Sequence, residues 1–205
     1  MILNRCSPFV LFLFLAACSS TARDLREEGA HESPWIQPTP LLAQQIEDEA
    51  VRLPFSHGFD RLEQIRWFAS VGEPAYPTLL RLAVDSRDDV AAAALAALGA
   101  TLDARLVEHI HDLSWSAERG QGDLGLERAR TLVRLGDWRE MPALIAGLRD
   151  ERLFTRSLCL DALKEATHES NGFDPRAETS EREKAVTRWE EWWLKRSGEG
   201  ILPKE

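Results

Sequence analysis

From Thr39 onward, apolar residues return every three to four positions, the period of a helix that hides one face. Leu42, Ile46, Ala50 and Leu53 make the first such stripe. Thr39 is placed to cap it, Pro40 occupies the first helical position, and Pro54 stops it. Asp60 is placed to cap a second helix with Leu62, Ile65, Phe68 and Ala69 inward. Gly72 suits its end, where a left-handed residue is usual. A third helix is expected near Pro74, with Tyr76, Leu79, Leu80 and Ala83 on one face. An Ala-rich fourth runs from Asp88 to Leu98 and ends at Gly99. No stretch reads as a strand, so the expected class is all-α.

The pattern also repeats. Laying Pro77–Leu98 over Pro142–Leu163, an offset of 65, matches seven of 22 positions without a gap. The identities are Pro77 with Pro142, Leu79 with Leu144, Asp85 with Asp150, Arg87 with Arg152, Leu95 with Leu160, Ala97 with Ala162 and Leu98 with Leu163. The interval leaves room for one more unit, Asp103 to Leu113, then a loop, then Leu124 to Leu135, ending at Gly136. A Pro early in the first helix, an Asp in the turn and an A-x-x-A-L-like close to the second resemble the HEAT repeat family. The resemblance covers roughly residues 39–166 and is clearest in the two aligned units.

That resemblance implies an α-α superhelix of antiparallel helix pairs, each unable to bury its apolar face without a neighbour. Residues 39–197 would form it, as about four pairs plus a C-terminal helix. Ser180 and Glu183 fit a capping box for that last helix. Along it, Ala185, Trp189, Trp192 and Trp193 recur at i, i+4, i+7 and i+8, one face of a helix. The F-D-P turn at Phe173–Pro175 followed by A-x-x-x-W-x-x-W-W also resembles the ending of many bacterial HEAT-repeat proteins. The tryptophans are therefore expected as a lid over the last repeat rather than an exposed platform.

The first residues are of another kind. Arg5 precedes nine apolar residues, Phe9–Ala17, which as a helix would span roughly 14 Å, far short of a bilayer. This is the pattern of a signal peptide, residues 1–17. Leu15-Ala16-Ala17-Cys18 resembles the lipobox of bacterial lipoproteins, which implies a lipidated Cys18 as membrane anchor. Ser19 after it implies the outer membrane, facing the periplasm. Residues 18–38 are polar and carry Pro34 and Pro38, so they are expected as a flexible tether, and 198–205 as a tail.

Charge and chemistry narrow the function further. Loss of residues 1–17 removes Arg5 and no acid, leaving 24 basic against 34 acidic groups, a formal net charge of −10. Such a surface repels phosphate backbones, so no nucleic-acid partner is expected. Of the three cysteines, Cys6 and Cys18 are otherwise accounted for, leaving Cys159 without a disulfide partner. It falls on a stripe with Ala162, Leu163 and Ala166 and is expected as a buried thiol. His109 and His111 form the one close histidine pair, but i, i+2 spacing on a helix turns them apart. No nucleophile elbow, phosphate loop or metalloprotease motif is present. No metal, cofactor or catalytic residue is assigned, and the chain is expected not to be an enzyme.

The loop Ser114–Asp123 interrupts the repeat. Its Trp115 and Arg119, types enriched at interface hot spots, are candidate partner-binding residues, with packing under the loop as the alternative for Trp115. The leading expectation is a lipid-anchored scaffold for an unidentified protein partner. A structural envelope lipoprotein without a dedicated partner comes second, and a small exported enzyme third.

Overall fold

The computed structural model of the chain describes residues 33–198. The expected signal peptide at 1–17, the expected anchor at Cys18, the expected tether up to residue 32 and the tail from 199 lie outside the described residues. Within them the fold is all-α. The helices are α1 (Pro40–Arg52), α2 (Gly58–Val71), α3 (Tyr76–Ala83), α4 (Asp88–Ala100), α5 (Leu106–His111), α6 (Ala117–Gln121), α7 (Asp123–Arg134), α8 (Met141–Gly147), α9 (Leu153–Thr167) and α10 (Thr179–Gly198). Short 3₁₀ turns at Leu53–Phe55, Glu73–Ala75 and Trp138–Glu140 join some of them.

The first stripe forms as its spacing dictates. The Thr39 hydroxyl accepts from the Leu42 amide at 3.4 Å, Pro40 fills the first position, and Ile46, Ala50 and Leu53 are buried. The second helix departs from expectation. It begins at Gly58, so Asp60 lies in the first turn rather than at the cap. Leu62 is 51 % exposed, and Gln64 takes an inward place instead. Phe68 and Ile65 keep their expected inward places, and it is Leu62 that leaves the stripe. Gly72 has φ +71°, the region glycine alone enters without strain, and its amide still closes the helix onto the Phe68 carbonyl at 3.2 Å.

Gly99 does not end its helix. It lies inside α4, where a side chain would meet Thr131 of α7 at 3.3 Å from Cγ2. Its absence lets α7 approach closely, and the Thr131 hydroxyl donates to the Leu95 carbonyl at 3.1 Å. Gly136, with φ +97°, does follow the end of α7, as the pattern indicates.

Two apolar cores result. One joins α1 to α5 and takes Leu124, Leu132 and Leu135 from the α7 segment. The other joins α8 to α10 and takes Ala129 and Val133 of the same helix. α7 is therefore the common wall. In packing, α4 lies against α2, α3 and α7, while α7 lies against α4, α8 and α9.

Three further differences concern the ends and the loop. Residues 33–38, expected as tether, are bound down: Trp35 is 6 % exposed, edge-on to Tyr76 at 4.9 Å, tilted over His109 at 5.0 Å and beneath the Arg105 guanidinium at 5.4 Å. Proline and polar neighbours concealed a single deep anchor. The 114–123 loop holds the one-turn α6, capped by Ser116. The Ser180–Glu183 capping box does not form. α10 starts a residue earlier, the Glu178 carbonyl accepts from Glu181 and Arg182, and the Glu183 carboxylate turns to Arg149 at 3.0 Å.

Candidate functional site

Trp115 and Arg119 both face their own chain. The indole Nε1 donates to the Ala83 carbonyl at 3.1 Å, and Arg128 stands over the ring at 5.3 Å. Arg119 donates through Nε to Asp88 at 2.8 Å and through Nη2 to the Asp85 carbonyl at 2.7 Å. The two residues therefore pin α6 to the turn between α3 and α4. Trp115 packs partly buried against the first core, on the end of α3 and beneath Arg128.

What the loop does create is a groove. Between its glycines and α8 lies an open depression of about 650 Å³, walled by Gly122, Gly125, Leu126, Ala143, Ala146 and Gly147. Three of the four charged groups on its rim, all but Glu140, are engaged elsewhere. Arg128 donates to the His111 carbonyl at 2.8 Å, Arg149 to Glu183 and Glu190, and Asp150 holds Arg152. The depression offers shape and small side chains rather than converging acid–base groups.

The two aligned turns hold their Asp and Arg in the same way. Asp85 Oδ1 accepts from the Arg87 amide at 2.9 Å and from its Nε at 3.0 Å, and Oδ2 accepts from Nη2 at 3.0 Å. Asp150 and Arg152 repeat the set at 2.8, 3.0 and 3.0 Å. The side-chain bond from Arg87, followed by the backbone bond, holds the Asp85 carboxyl down at about 2. The Arg152 bond likewise lowers Asp150, and both guanidinium groups rise.

Sequence comparison of the two units missed that the motif is more widespread. Asp137–Arg139 makes the same three bonds at 3.1, 2.9 and 3.0 Å, and Asp103–Arg105 at 3.0, 3.0 and 2.6 Å. Asp174 keeps the backbone bond, accepting from Arg176 at 2.9 Å. A scan for D-x-R at predicted helix starts would have found all five.

The histidines divide. His109 packs on Trp35, while His111 Nε2 lies 2.6 Å from Asp137 Oδ2, with Arg139 Nη2 at 3.4 Å. Burial alone would raise Asp137, but hydrogen bonds from Arg139 and His111 outweigh it and lower the carboxyl. The histidine thus buttresses the turn. No cluster of three or more His, Cys, Asp or Glu positioned for a metal occurs among the described residues.

Cys159 is fully buried, and desolvation, followed by nearby Asp150, Asp123 and Glu127, pushes its thiol up to about 12. Such a group is protonated and inert at neutral pH. Glu127 is another buried titratable group, raised by desolvation and only partly offset by Arg130 at 3.5 Å.

The tryptophan cluster is mostly inward. Trp189 is fully buried, Trp192 and Trp193 pack partly against the second core, and α10 lies on α8. Trp192 meets Trp189 at 5.6 Å and Trp138 at 6.2 Å, with Arg196 over its ring at 5.1 Å.

No described helix is long and apolar enough to cross a membrane. Fold and surface together define an all-helical chain that offers open grooves and turn-held charge. No protein-family model, curated protein or solved structure matches it.

Proposed function

We propose that the chain is a HEAT-type helical solenoid, carried on a lipidated Cys18 and facing the periplasm, that serves as a protein-interaction or assembly scaffold without catalytic activity. The observation that carries this is the pair of aligned turns: Asp85–Arg87 and Asp150–Arg152, related by the 65-residue offset, make the same three hydrogen bonds. Because the same bonds also form at Asp103–Arg105 and Asp137–Arg139, what bears on stacking is that these two turns join corresponding helices, α3 to α4 and α8 to α9. Successive packing of α2 on α4, α4 on α7 and α7 on α9 supports it, with α10 and Trp189 as the closing lid. Partners of such a fold bind grooves between units, and the depression beside the 114–123 loop is one.

Two experiments test the proposal. Cells grown with labelled fatty acid should label the wild-type chain and not a Cys18→Ser variant; label retained by the variant removes the anchor. Cross-linking in intact envelopes should join the chain to a second protein. Adducts containing the chain alone would remove the scaffold.

A further inference from the structure

Between α1 and α2, which meet through the Gln64 amide donating to Glu49 at 2.7 Å, lie two surface depressions that the 114–123 loop does not line. At one end Gln45, Asp48, Glu49 and Arg52 of α1 face Trp67 of α2 around a depression of about 420 Å³. At the other, Val51, Arg52 and Phe55 face Asp60 and Gln64 around one of about 280 Å³. Arg52 borders both. From Gln45 to Arg52 the surface follows α1 for about 10 Å, two helical turns, and Phe55 continues it in the 3₁₀ turn beyond.

Its chemistry is uneven. Val51 and Phe55 are 68 % and 78 % exposed, large apolar side chains left in water. Three carboxylates, Asp48, Glu49 and Asp60, face one guanidinium, Arg52, which is paired to Glu49 at 2.7 Å. Gln64 is 7 % exposed, its Nε2 donates to Glu49 at 2.7 Å, and its amide oxygen has no partner. Reversing the amide would set oxygen against carboxylate, so the acceptor stays where it is.

We propose that this groove docks an amphipathic helix of a partner protein, with Lys or Arg beside its apolar stripe. Anchors at i, i+3 or i+4, and i+7 span about 10 Å, the length of α1 from Gln45 to Arg52. Val51, Phe55 and Trp67 receive the stripe, and the excess of carboxylates receives the basic flank and repels an acidic one. The same excess repels anionic lipid. Isologous pairing with a second copy would bring acid to acid. The partner's place in the cell rests on the scaffold proposal; the groove itself does not.

The test uses the full-length chain with Cys18→Ser, so that no acyl group competes. The probe is a labelled helix-forming peptide of about three to four turns with Leu at the anchor positions and Lys elsewhere. Saturable one-to-one binding is expected, weakened at least tenfold by Asp48→Lys with Asp60→Lys, and likewise by Val51→Ser with Phe55→Ser. All four side chains line the groove surface, so circular dichroism should show unchanged melting. No binding, equal binding of a Leu/Glu peptide, or variants that bind as wild type would overturn the proposal. So would a dimer or anionic-vesicle binding that disappears with Val51→Ser and Phe55→Ser, because the groove would then belong to another occupant. In cross-linked envelopes, an adduct lost in the charge variant supports the groove. The same adduct in both chains overturns the groove and spares the scaffold. With no adduct at all the scaffold falls, and the peptide titration still decides the groove.

Discussion

Replacing Trp189 by alanine should destabilise the chain more than any change to its neighbours Trp192 and Trp193. The indole is fully buried and sits in the core that α7, α8, α9 and α10 share. Removing a side chain of that size exposes or empties roughly 200 Å², worth about 5 kcal/mol at 25 cal/mol per Å². A compact unfolded chain already hides part of that area, so about 3–4 kcal/mol remains, within the range measured for aromatic truncations. For a domain of this size that corresponds to a melting temperature lower by roughly 6–16 °C. Trp189→Phe separates packing from polarity. Nε1 is buried without a partner, so phenylalanine removes an orphan donor while keeping most of the ring. Its loss should be less than half that of alanine. Thermal and urea unfolding of the three chains, followed by far-ultraviolet circular dichroism, give both numbers. Melting of Trp189→Ala that coincides with wild type would refute the assignment of Trp189 to the core. Phenylalanine as damaging as alanine would show that the indole nitrogen has a partner after all.

Other outcomes follow from buried and charged groups. Gly147→Ala should cost about 1–3 kcal/mol because its new methyl would collide with the Cys159 sulfur; Cys159→Ala in the same chain should restore most of the loss, a coupling read by a double-mutant cycle. Native Cys159 should resist thiol reagents at pH 8 and react at once in denaturant, since its thiol stands at about 12. Arg156 donates to the carbonyls of Asp150, Glu151 and Pro175 while 8 % exposed, so Arg156→Ala should cost about 2–4 kcal/mol, and lysine, lacking the fork, should recover only part by urea titration. Asp85 is held at about 2 in the fold against 3.8 ordinarily, so its stabilisation is complete above pH 4 and lost as pH falls toward 2. Asp85→Asn should therefore be less stable at neutral pH and show a flatter acid limb. Glu127 has the opposite sign: its carboxyl is raised by burial, so Glu127→Gln should match or exceed wild-type stability at pH 7 and lose that advantage on acidification.

The helices were legible because their period is a property of neighbouring residues. Thr39 with Pro40, the Tyr76–Ala83 face and the Ala-rich α4 all follow from local spacing. What escaped depended on partners far away in the chain. Gly99 has the sequence signature of a stop, yet its role is to admit Thr131 from α7. Trp35 sits among residues of a tether, yet Tyr76, His109 and Arg105 together bury it. Glu183 could have capped its own helix, but Arg149, two residues past the end of α8, offers a charge-assisted bond that wins. The surface site was the least legible. Trp115 and Arg119 are of the right types for recognition, and only tertiary contacts reveal that both are engaged with the α3–α4 turn. The α1–α2 groove left no motif, since its residues matter through the surface they share.

The recurring D-x-R turn explains how a chain with 29 % charged residues carries so much charge at its turns without depending on surface ion pairs, which alone contribute little. In each turn the Asp satisfies a helix-start amide through a bond two residues long, so the geometry is encoded locally and survives any change of neighbour. The Arg then has a hand to spare. Arg152 reaches Asp123 of α7 with two bonds of 2.6 Å, Arg105 reaches Glu73 before α3, and Arg139 comes within 3.4 Å of His111 in α5. These three turns are thus fixed from within and linked outward to a preceding element, whereas among the described residues the Arg87 guanidinium bonds only to its own Asp85. If that division holds, Asp150→Asn should weaken the turn itself, whereas Asp123→Asn should leave its backbone geometry intact and loosen only α9 against α7. Amide hydrogen exchange separates the two: the Arg152 amide should lose protection in the first variant and keep it in the second, and equal loss in both would show that turn and link are one unit.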